Sequence, residues 1–312
     1  MINICSIILF SLLIGTGPLL NSEIPCSREI SPDTLQILTF NMWLGGEGGK
    51  QPLEKSAEVI RLSNARIAGL QETRSHHSGE KDNAPVIAEI LGWNYISQGE
   101  GCGIITSYEI ADSTENKLGV KLKVGDGRYI WFFNCHLFHM PYQPYQLASK
   151  AYGNYPFISS EKEAIWFAES TRKNEVQRYI HEINRVLAEG WPVFITGDFN
   201  EPSFQDWTDA AVKAGLCPIK VEWPSTKAFA EAGFTDAFRE VHPDETSVRG
   251  ETWSSIDTPG EIHDRIDFIF FQGKQLKVIR AGTIGFEDGK SDIGITDYPS
   301  DHRAVWATFL WK

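Results

Sequence analysis

The chain has 312 residues, of which 42% are hydrophobic and 12% aromatic, and its formal net charge is −12. It contains no low-complexity segment or internal repeat, so its composition is that of an ordinary globular protein. The acidic charge disfavours a tight binder of nucleic acid, which needs a basic surface, although a bound divalent cation can screen charge at a site.

The chain begins with an apolar segment at residues 4–20, followed by the polar residues Asn21, Ser22 and Glu23. The segment is short and interrupted by Gly and Pro, so it fits the hydrophobic region of a signal peptide better than a membrane span. We therefore predict a signal peptide at about residues 1–25 and a secreted or periplasmic protein. The segment lacks a preceding Lys or Arg and a clean cleavage site, which leaves a retained membrane anchor as the alternative.

No linker divides the remaining chain, so we predict one domain over residues 30–312. Five cysteines are present, one of them in the apolar leader. In an exported protein the others could form disulfides, and buried free thiols are an equal alternative. These cysteines are Cys26, Cys102, Cys135 and Cys217.

Hydrophobic periodicity predicts helices and strands in alternation along the chain. The predicted helices lie at about 52–64, 84–91, 161–189, 206–214 and within 226–240. The predicted strands lie at about 38–41, 67–70, 95–96, 103–107, 118–124, 129–135, 193–195, 265–270 and 304–307. Gly125-Asp126-Gly127 predicts a hairpin between two of the strands. Many strands with interspersed helices indicate two packed sheets with helices outside.

The segment Thr196-Gly197-Asp198-Phe199-Asn200 follows the buried apolar run Val193–Ile195. In an extended segment Asp198 and Asn200 point the same way, because side chains alternate along a strand. A carboxylate and an amide aimed at one point can hold and deprotonate a water. The structural alternative is a strand followed by an Asx-type turn.

Other strand-like segments also carry an acid, amide or imidazole group, mostly at an end. These groups belong to Asn41, Glu72, His136, Asp267, Asp301 and His302. Strand ends at one edge of a sandwich can converge, and loops at such an edge usually carry the chemistry.

This ordered set, closing on Ser-Asp-His near the C-terminus, resembles the endonuclease/exonuclease/phosphatase superfamily over Leu35 to Leu310. The superfamily includes deoxyribonucleases, abasic-site endonucleases, sphingomyelinases and inositol polyphosphate phosphatases. The resemblance implies a four-layer αββα sandwich of two mixed β-sheets with outer helices, within the α/β (α+β) class. It also implies a metal-dependent phosphoesterase.

The expected cofactor is Mg²⁺, with Mn²⁺ as a substitute, because an amide and a carboxylate provide the oxygen ligands that Mg²⁺ prefers. Asn41 and Glu72 are the predicted ligands, and the resemblance adds Asp301. A zinc site is disfavoured because no His or Cys cluster exists. A two-carboxylate glycosidase would not explain the histidines or Asn41.

The predicted catalytic residues each have a separate role. Asp198 orients or deprotonates the attacking water, Asn200 holds the water or a phosphoryl oxygen, and His302 stabilises the developing charge. The resemblance implies that Asp267 orients His302. His136 is a second phosphate-contacting imidazole, for which Glu100 is only a candidate partner. A catalytically silent phospho-ligand-binding relative is a further alternative, which the completeness of the set disfavours.

The stretch Leu137 to Ile165 is rich in Tyr, Phe and Pro and has only two lysines. It could wall a substrate pocket, hold a quaternary ammonium or contact a membrane surface, or simply pack the loop onto the sandwich. We predict His139, Tyr142 and Tyr145 as substrate-binding residues. The stretch from Trp223 to Ser254 is expected to form the opposite wall.

These features favour a monomer acting on a small or lipid-headgroup phosphoester. A secreted nuclease of the DNase or RNase type is the alternative.

Overall fold

The computed structural model describes residues 33–76 and 81–312. The predicted signal peptide and Cys26 lie outside the described residues. The strands in chain order are β1 (Thr34–Asn41), β2 (Ile67–Gln71), β3 (Asn94–Gly99), β4 (Cys102–Thr106), β5 (Glu109–Ser113), β6 (Gly119–Gly125), β7 (Arg128–His136), β8 (Val193–Asp198), β9 (Thr235–Asp236), β10 (Asp267–Gln272), β11 (Leu276–Phe286), β12 (Ile293–Ile295) and β13 (Ala304–Trp311).

The helices connect the strands and cover the sheets. They are α1 (Leu53–Leu62), α2 (Ala84–Leu91), α3 (Gln143–Leu147), α4 (Glu161–Leu187), α5 (Asp209–Lys213), α6 (Pro224–Glu231) and α7 (Ala237–Val241). A short 3-10 turn, Leu44–Gly46, follows β1. In the described part of the chain, no helix is long and apolar enough to cross a membrane.

The strands form two mixed sheets. A seven-stranded sheet has the order β12-β11-β13-β1-β2-β4-β3, and a six-stranded sheet has the order β5-β6-β7-β8-β10-β9. In the first sheet β1 runs parallel to β2 and antiparallel to β13. In the second, β8 runs parallel to β7 and antiparallel to β10. Parallel and antiparallel neighbours in each sheet make both sheets mixed, as predicted.

Alternation of side chains along the strands creates three apolar layers. The central layer lies between the sheets, where Ile37 of β1 packs in one cluster with Phe132 of β7 and Phe194 of β8. Leu38, next to Ile37, belongs instead to a cluster with residues of α1 and α2 on the outer face of the first sheet. Residues of α4 and α6 cover the outer face of the second sheet, where Val176 of α4 is buried in the third apolar cluster. The predicted four-layer αββα sandwich is confirmed.

Two helix predictions need correction. The segment predicted as one helix within residues 226–240 contains two, α6 and α7, because Gly233 has a φ of +90° and breaks the first. Asp236 then starts α7 by accepting hydrogen bonds from the backbone N–H groups of Phe238 and Arg239. The predicted helix at 206–214 begins later, because the hydroxyl of Thr208 caps α5.

The cysteine alternatives are resolved for the described residues. Cys102, Cys135 and Cys217 are buried free thiols.

Candidate active site

Strand register brings the predicted site residues to one edge of the sandwich. In the second sheet His136 pairs with Asp198 across β7 and β8, and Asp267 pairs with Asp198 across β10 and β8. In the first sheet Asn41 ends β1 opposite Gln71, directly before Glu72. Ends of strands from both sheets therefore contribute to one cleft.

Asp198 lies at the centre of the cluster. Its Oδ2 accepts a hydrogen bond of 3.0 Å from Nδ2 of Asn41, and the same amide nitrogen donates to Oε1 of Glu72 at 3.2 Å. Glu72 also accepts from the backbone N–H of Leu44 at 3.0 Å. Trp43 N–H donates to Oδ1 of Asn41 at 2.9 Å. The amide of Asn41 thus links the carboxylates contributed by the two sheets.

Two imidazoles flank Asp198. Nε2 of His136 lies 3.5 Å from Oδ2 of Asp198, and Nε2 of His302 lies 3.7 Å from the same oxygen. Nδ1 of His302 is hydrogen-bonded to Oδ2 of Asp267 at 2.9 Å, the pair that the family resemblance implied. The carboxylate beside His136 is Asp198, and Glu100 lies in an adjacent cavity.

Asn200 reaches the cleft in a different way from the one predicted. It is not part of the extended strand, because its φ is +47°. Its backbone N–H donates to Oδ1 of Asp198 at 2.8 Å, which is the Asx-type turn considered as the alternative. Its Nδ2 donates to the backbone oxygen of Leu137 at 2.9 Å, and the side chain still lines the cleft. Turn and cleft roles therefore coexist at this residue.

Burial and mutual interaction set the charge states. Burial by itself would lower the pKa of His302, but Asp267, Asp198 and Asp301 outweigh it and raise the pKa to about 10. His302 is therefore cationic at neutral pH. Burial raises the pKa of Asp198, although both imidazoles oppose this effect. Burial would also raise the pKa of Glu72, but His136, His302 and hydrogen-bond donors together lower it.

Glu72 and Asp301 have the chemistry expected of ligands to a divalent cation. Glu72 is held ionised, and both residues line the same cleft. Oδ1 of Asp301 is buried without a hydrogen-bond partner among the described residues, and burial raises the pKa of this carboxyl to about 7. A buried carboxylate that lacks a partner is costly, and a cation would satisfy it.

A second group with the spacing of metal ligands consists of Asp198, Asp267 and His302, whose ligand atoms lie within 4.8 Å of one another. This group suits a cation less well. Nδ1 of His302 and Oδ2 of Asp267 are already hydrogen-bonded to each other at 2.9 Å. Glu72, Asn41 and Asp301 therefore remain the better candidates.

The cleft has a volume of about 300 Å³ and an aromatic lining beside its polar groups. Its polar lining comes from Glu72, His136, His139, Asp198, Asn200, Asp301 and His302. Its apolar lining comes from Trp43, Leu44, Tyr142, Tyr145, Tyr152, Trp253 and Ile266. Within the part of the chain that the structure describes, no Lys or Arg lines this cleft.

The three predicted substrate-binding residues all line the cleft, but two of them are largely buried. Tyr142 donates its hydroxyl to Oδ2 of Asp264 at 2.7 Å, and Tyr145 donates to Glu261. Both side chains therefore pack the loop onto the sandwich, as the structural alternative held, and both also line the cleft. His139 is exposed, and its ring lies 6.0 Å from that of Tyr152.

The prediction that the stretch from Trp223 to Ser254 forms the opposite wall of the cleft is correct for one end of the stretch only. Trp253 lines the cleft, with its ring 4.8 Å from the ring of His302. Trp223 does not, because it is fully buried against Trp207 in a separate core cluster. Trp43 also lines the cleft and was not predicted to do so. Its position two residues after Asn41 is the signal in the sequence that could have indicated it.

A buried polar layer lies one step below the cleft and was also not predicted. Nε2 of Gln71 donates to Oγ1 of Thr39 at 3.0 Å within the first sheet, and to Oδ1 of Asn134 in the second at 2.6 Å. Asn134 in turn donates to the backbone oxygen of Leu70 at 3.0 Å. A Cβ at Gly69 would lie 2.4 Å from Oδ1 of Asn134, so glycine leaves room for this contact. The layer joins the sheets directly beneath the strand ends.

Arg172 of α4 fixes the loops after β7 and β8. The fully buried guanidinium donates to Oε2 of Glu201 at 3.0 Å, to the backbone oxygen of Phe138 at 3.1 Å, and to the side chain of Gln143. Glu201 also accepts from the backbone N–H of Ser225 at 2.6 Å. Glu201, which follows Asn200 in the chain, therefore points away from the cleft.

Fold and site together define an αββα sandwich with carboxylate, amide and imidazole groups converging in a cleft at the strand ends. The chain belongs to the endonuclease/exonuclease/phosphatase family, whose model matches residues 38–302. Members of this family are hydrolases that act on phosphoester bonds and depend on divalent metals. A relative, uncharacterized protein F14F9.5 of Caenorhabditis elegans, is 28% identical over 316 residues, covering 92% of this chain and 95% of the relative.

Solved structures share the fold at low sequence identity. An endonuclease/exonuclease/phosphatase protein from Beutenbergia cavernae has a TM-score of 0.56 and 14% identity, covering 89% of this chain and 72% of its own. TDP2 from C. elegans has a TM-score of 0.52 and 16% identity, covering 91% and 77%. An AP endonuclease from Archaeoglobus fulgidus has a TM-score of 0.52 and 14% identity, covering 88% and 98%.

Proposed function

We propose that this protein is a phosphoesterase that depends on Mg²⁺, with Mn²⁺ as a substitute, and hydrolyses a small or lipid-headgroup phosphoester by in-line attack of water. The observation that carries the proposal is the convergence of Asp198 with Asn41, His136 and His302 at one point of the cleft. In-line hydrolysis needs a base for the water and a positive group for the phosphoryl oxygens at that point.

Asp198 is the proposed base. Its raised pKa makes it a stronger proton acceptor than an exposed carboxylate. The Asn41 amide and the Asn200 backbone N–H hold its two oxygens in place. As the bond between the water oxygen and phosphorus forms, the water proton passes to Asp198 and the bond from phosphorus to the leaving oxygen breaks.

His302 is the proposed charge-stabilising group. Its imidazolium faces the phosphoryl oxygens, and Asp267 fixes the orientation of the ring through Nδ1. The departing oxygen takes up a proton from solvent, and His302, which is charged at neutral pH, stabilises the charge that develops on the phosphoryl oxygens. His136, on the other side of Asp198, provides a second contact for the phosphoryl group.

Glu72, Asn41 and Asp301 would hold the cation. A bound divalent cation withdraws charge from phosphoryl oxygens and favours hydroxide formation. The lowered pKa of Glu72 and the unpartnered oxygen of Asp301 support this assignment.

Cleft size and charge support the small or lipid-headgroup substrate. A cleft of about 300 Å³ accommodates a small organic group. Polyanions such as nucleic acid are normally bound by Lys and Arg, and the described lining has neither, while the whole chain carries a net charge of −12. A secreted nuclease is the second candidate, because a protein that shares the fold is named an AP endonuclease.

We also propose that the protein is exported and monomeric. The apolar segment at residues 4–20 supports export, with a retained anchor as the alternative.

The decisive test is hydrolysis of bis-p-nitrophenyl phosphate by the purified protein with Mg²⁺ or Mn²⁺. Activity should disappear with EDTA and return with excess Mg²⁺. Asp198→Ala should lower kcat by at least about 100-fold while circular dichroism shows a retained fold, because a base contributes about 10²–10⁴-fold. Absence of hydrolysis with either metal would favour the silent ligand-binding relative.

If bis-p-nitrophenyl phosphate is hydrolysed, a panel of DNA, RNA, sphingomyelin, phosphoinositides and sugar phosphates then identifies the substrate class. Efficient cleavage of duplex DNA with steep salt dependence would replace the small-substrate proposal by the nuclease.

A further inference from the structure

The strands β1, β7 and β8 share one pattern on their inner faces, which turn towards the space between the two sheets. Every second residue lies on the same face of a strand, so successive inner residues follow one another at about 7 Å. Towards the cleft, each strand passes from an apolar residue of the central cluster to a buried polar residue and then to a site residue. These residues are Ile37, Thr39 and Asn41 in β1, Phe132, Asn134 and His136 in β7, and Phe194, Thr196 and Asp198 in β8.

Four fully buried side chains form what we call the polar layer: Thr39, Gln71, Asn134 and Thr196. Within it, Asn134 of the second sheet is bonded to three strands of the first. Its Nδ2 donates to the backbone oxygen of Leu70 in β2 at 3.0 Å and to that of Gly103 in β4 at 3.3 Å. Its Oδ1 accepts from Nε2 of Gln71 at 2.6 Å. Gln98 of β3 accepts from Nδ2 of Asn134 at 2.9 Å and donates to its backbone oxygen at 2.8 Å.

Stability alone does not account for the polar layer. A Cβ at Gly69 would lie 2.4 Å from both Oδ1 of Asn134 and Oγ1 of Thr196, so β2 gives up a core side chain to admit these groups. A glycine inside a strand weakens it. Oε1 of Gln71 is buried without a hydrogen-bond partner among the described residues, which is a further cost. An apolar layer of the same volume would avoid both costs, because buried hydrogen bonds contribute little net stability.

Directional contacts provide what an apolar layer lacks. Apolar contacts have no preferred direction, so the central cluster does not by itself fix the register between the sheets. Hydrogen bonds are restricted in distance and angle. The bond of 3.0 Å from Nδ2 of Asn41 to Oδ2 of Asp198 also crosses from one sheet to the other, one step above the polar layer. A displacement of about 1 Å at a reacting group can cost about 100-fold in rate, so the site depends on this register.

We propose that Asn134 and Gln71 are positioning residues, which fix the register of the two sheets and thereby hold Asn41 against Asp198. Neither side chain lines the cleft, so both act through the residues above them. This inference rests on the proposed phosphoesterase function and assigns the polar layer a part in it.

Variants that exchange amides for apolar groups of similar volume test the proposal. Gln71→Met or Asn134→Leu leaves a buried partner unsatisfied and should lower the melting temperature, whereas the double variant should recover part of this loss. In the double variant kcat for bis-p-nitrophenyl phosphate with saturating Mg²⁺ should still fall about tenfold or more, while KM changes less than about threefold. A double variant with the kcat of the wild type would overturn the proposal.

Gln98→Met keeps the test open if the double variant fails to fold. Gln98 is half-buried, and its replacement removes two bonds between the sheets, so kcat should fall about threefold or more. The matched control is Thr106→Val, at a fully buried hydroxyl that is bonded at 3.0 Å to the backbone groups of Arg66 and Tyr108. The control should lower the melting temperature and leave kcat unchanged. An equal loss of kcat in the control, or none in Gln98→Met, would contradict the positioning role.

Crystal structures of the metal-free wild type and double variant provide a readout without turnover. The distance from Nδ2 of Asn41 to Oδ2 of Asp198 should exceed about 3.5 Å in the double variant. This result with a wild type that hydrolyses no phosphoester would keep the positioning role and reject the phosphoesterase. Hydrolysis by the wild type with an unchanged distance in the double variant would do the reverse.

Discussion

Replacing Asp267 with Asn tests the charge state of His302 most directly. The pair is joined by a hydrogen bond of 2.9 Å, and both side chains are buried. The pKa of His302 is raised from 6.5 to about 10, with Asp267 the largest contributor among the carboxylates that raise it. At 1.36 kcal/mol per pH unit, this shift corresponds to about 5 kcal/mol in favour of the charged ring.

Three carboxylates share this effect, and Asp267 leads them, so its charge accounts for more than a third of the shift, or more than about one pH unit. Asp267→Asn should therefore lower the pKa of His302 by more than one pH unit, because burial lowers this pKa and only Asp198 and Asp301 would remain to raise it. Since the protonated ring is the active form, activity falls as pH rises through this pKa. The wild-type protein should hold its kcat/KM through pH 9, whereas the variant should decline from about pH 8.

The assay is the pH dependence of kcat/KM for bis-p-nitrophenyl phosphate with saturating Mg²⁺ between pH 6.0 and 9.5. A titration of His302 by NMR of the labelled imidazoles provides a readout without turnover. The matched control is Asp264→Asn, which also neutralises a buried carboxylate but one bonded to Tyr142 and Trp207. A wild-type alkaline limb in Asp267→Asn, or the same displacement in the control, would refute the reasoning.

Three further predictions address the metal, the loops and pH. Glu72→Gln should raise the Mg²⁺ concentration for half-maximal activity about tenfold or more, because it removes charge from a metal ligand with little change of volume. An unchanged metal titration would show that Glu72 is not a ligand of the cation. Arg172→Met should lower the free energy of unfolding by about 3–5 kcal/mol, because it leaves the carboxylate of Glu201 buried without its partner. As the control, Lys173→Met removes an exposed charge and should lower the free energy of unfolding by less than about 0.5 kcal/mol. Equal melting temperatures of the two variants would contradict this prediction. Burial raises the pKa of Asp264 from 3.8 to about 6, so its stabilising contribution is present below pH 3.8 and lost as pH rises through 6. Denaturant unfolding should therefore show Asp264→Asn gaining up to about 3 kcal/mol relative to wild type between pH 4 and pH 7.5, whereas a pH-independent difference would argue against the shift.

Helices and strands were largely predictable because their signals are local. On α4, for example, Val176 and Ile183 are seven residues apart and so share one face of the helix, which is the buried face. The polar residues that end apolar runs, such as Asn41 and Asp198, were visible in the same way, because a strand end needs only a few residues to be recognised. Even the Asx turn at Asn200 was a local alternative, and only the positive φ decided how that residue reaches the cleft.

The sequence by itself determined the family, the αββα class and the chemical groups of the candidate site. The tertiary structure alone decided which groups meet. Asn41 contacts Asp198 across 157 positions of sequence because two sheets stack in a particular register, and no local pattern encodes that stacking. The same reason explains why Tyr142 is buried, why Trp43 and Trp253 wall the cleft, and why Arg172 turns Glu201 away from it. Each of these outcomes depends on contacts between segments whose relative placement is set by packing of the whole sandwich.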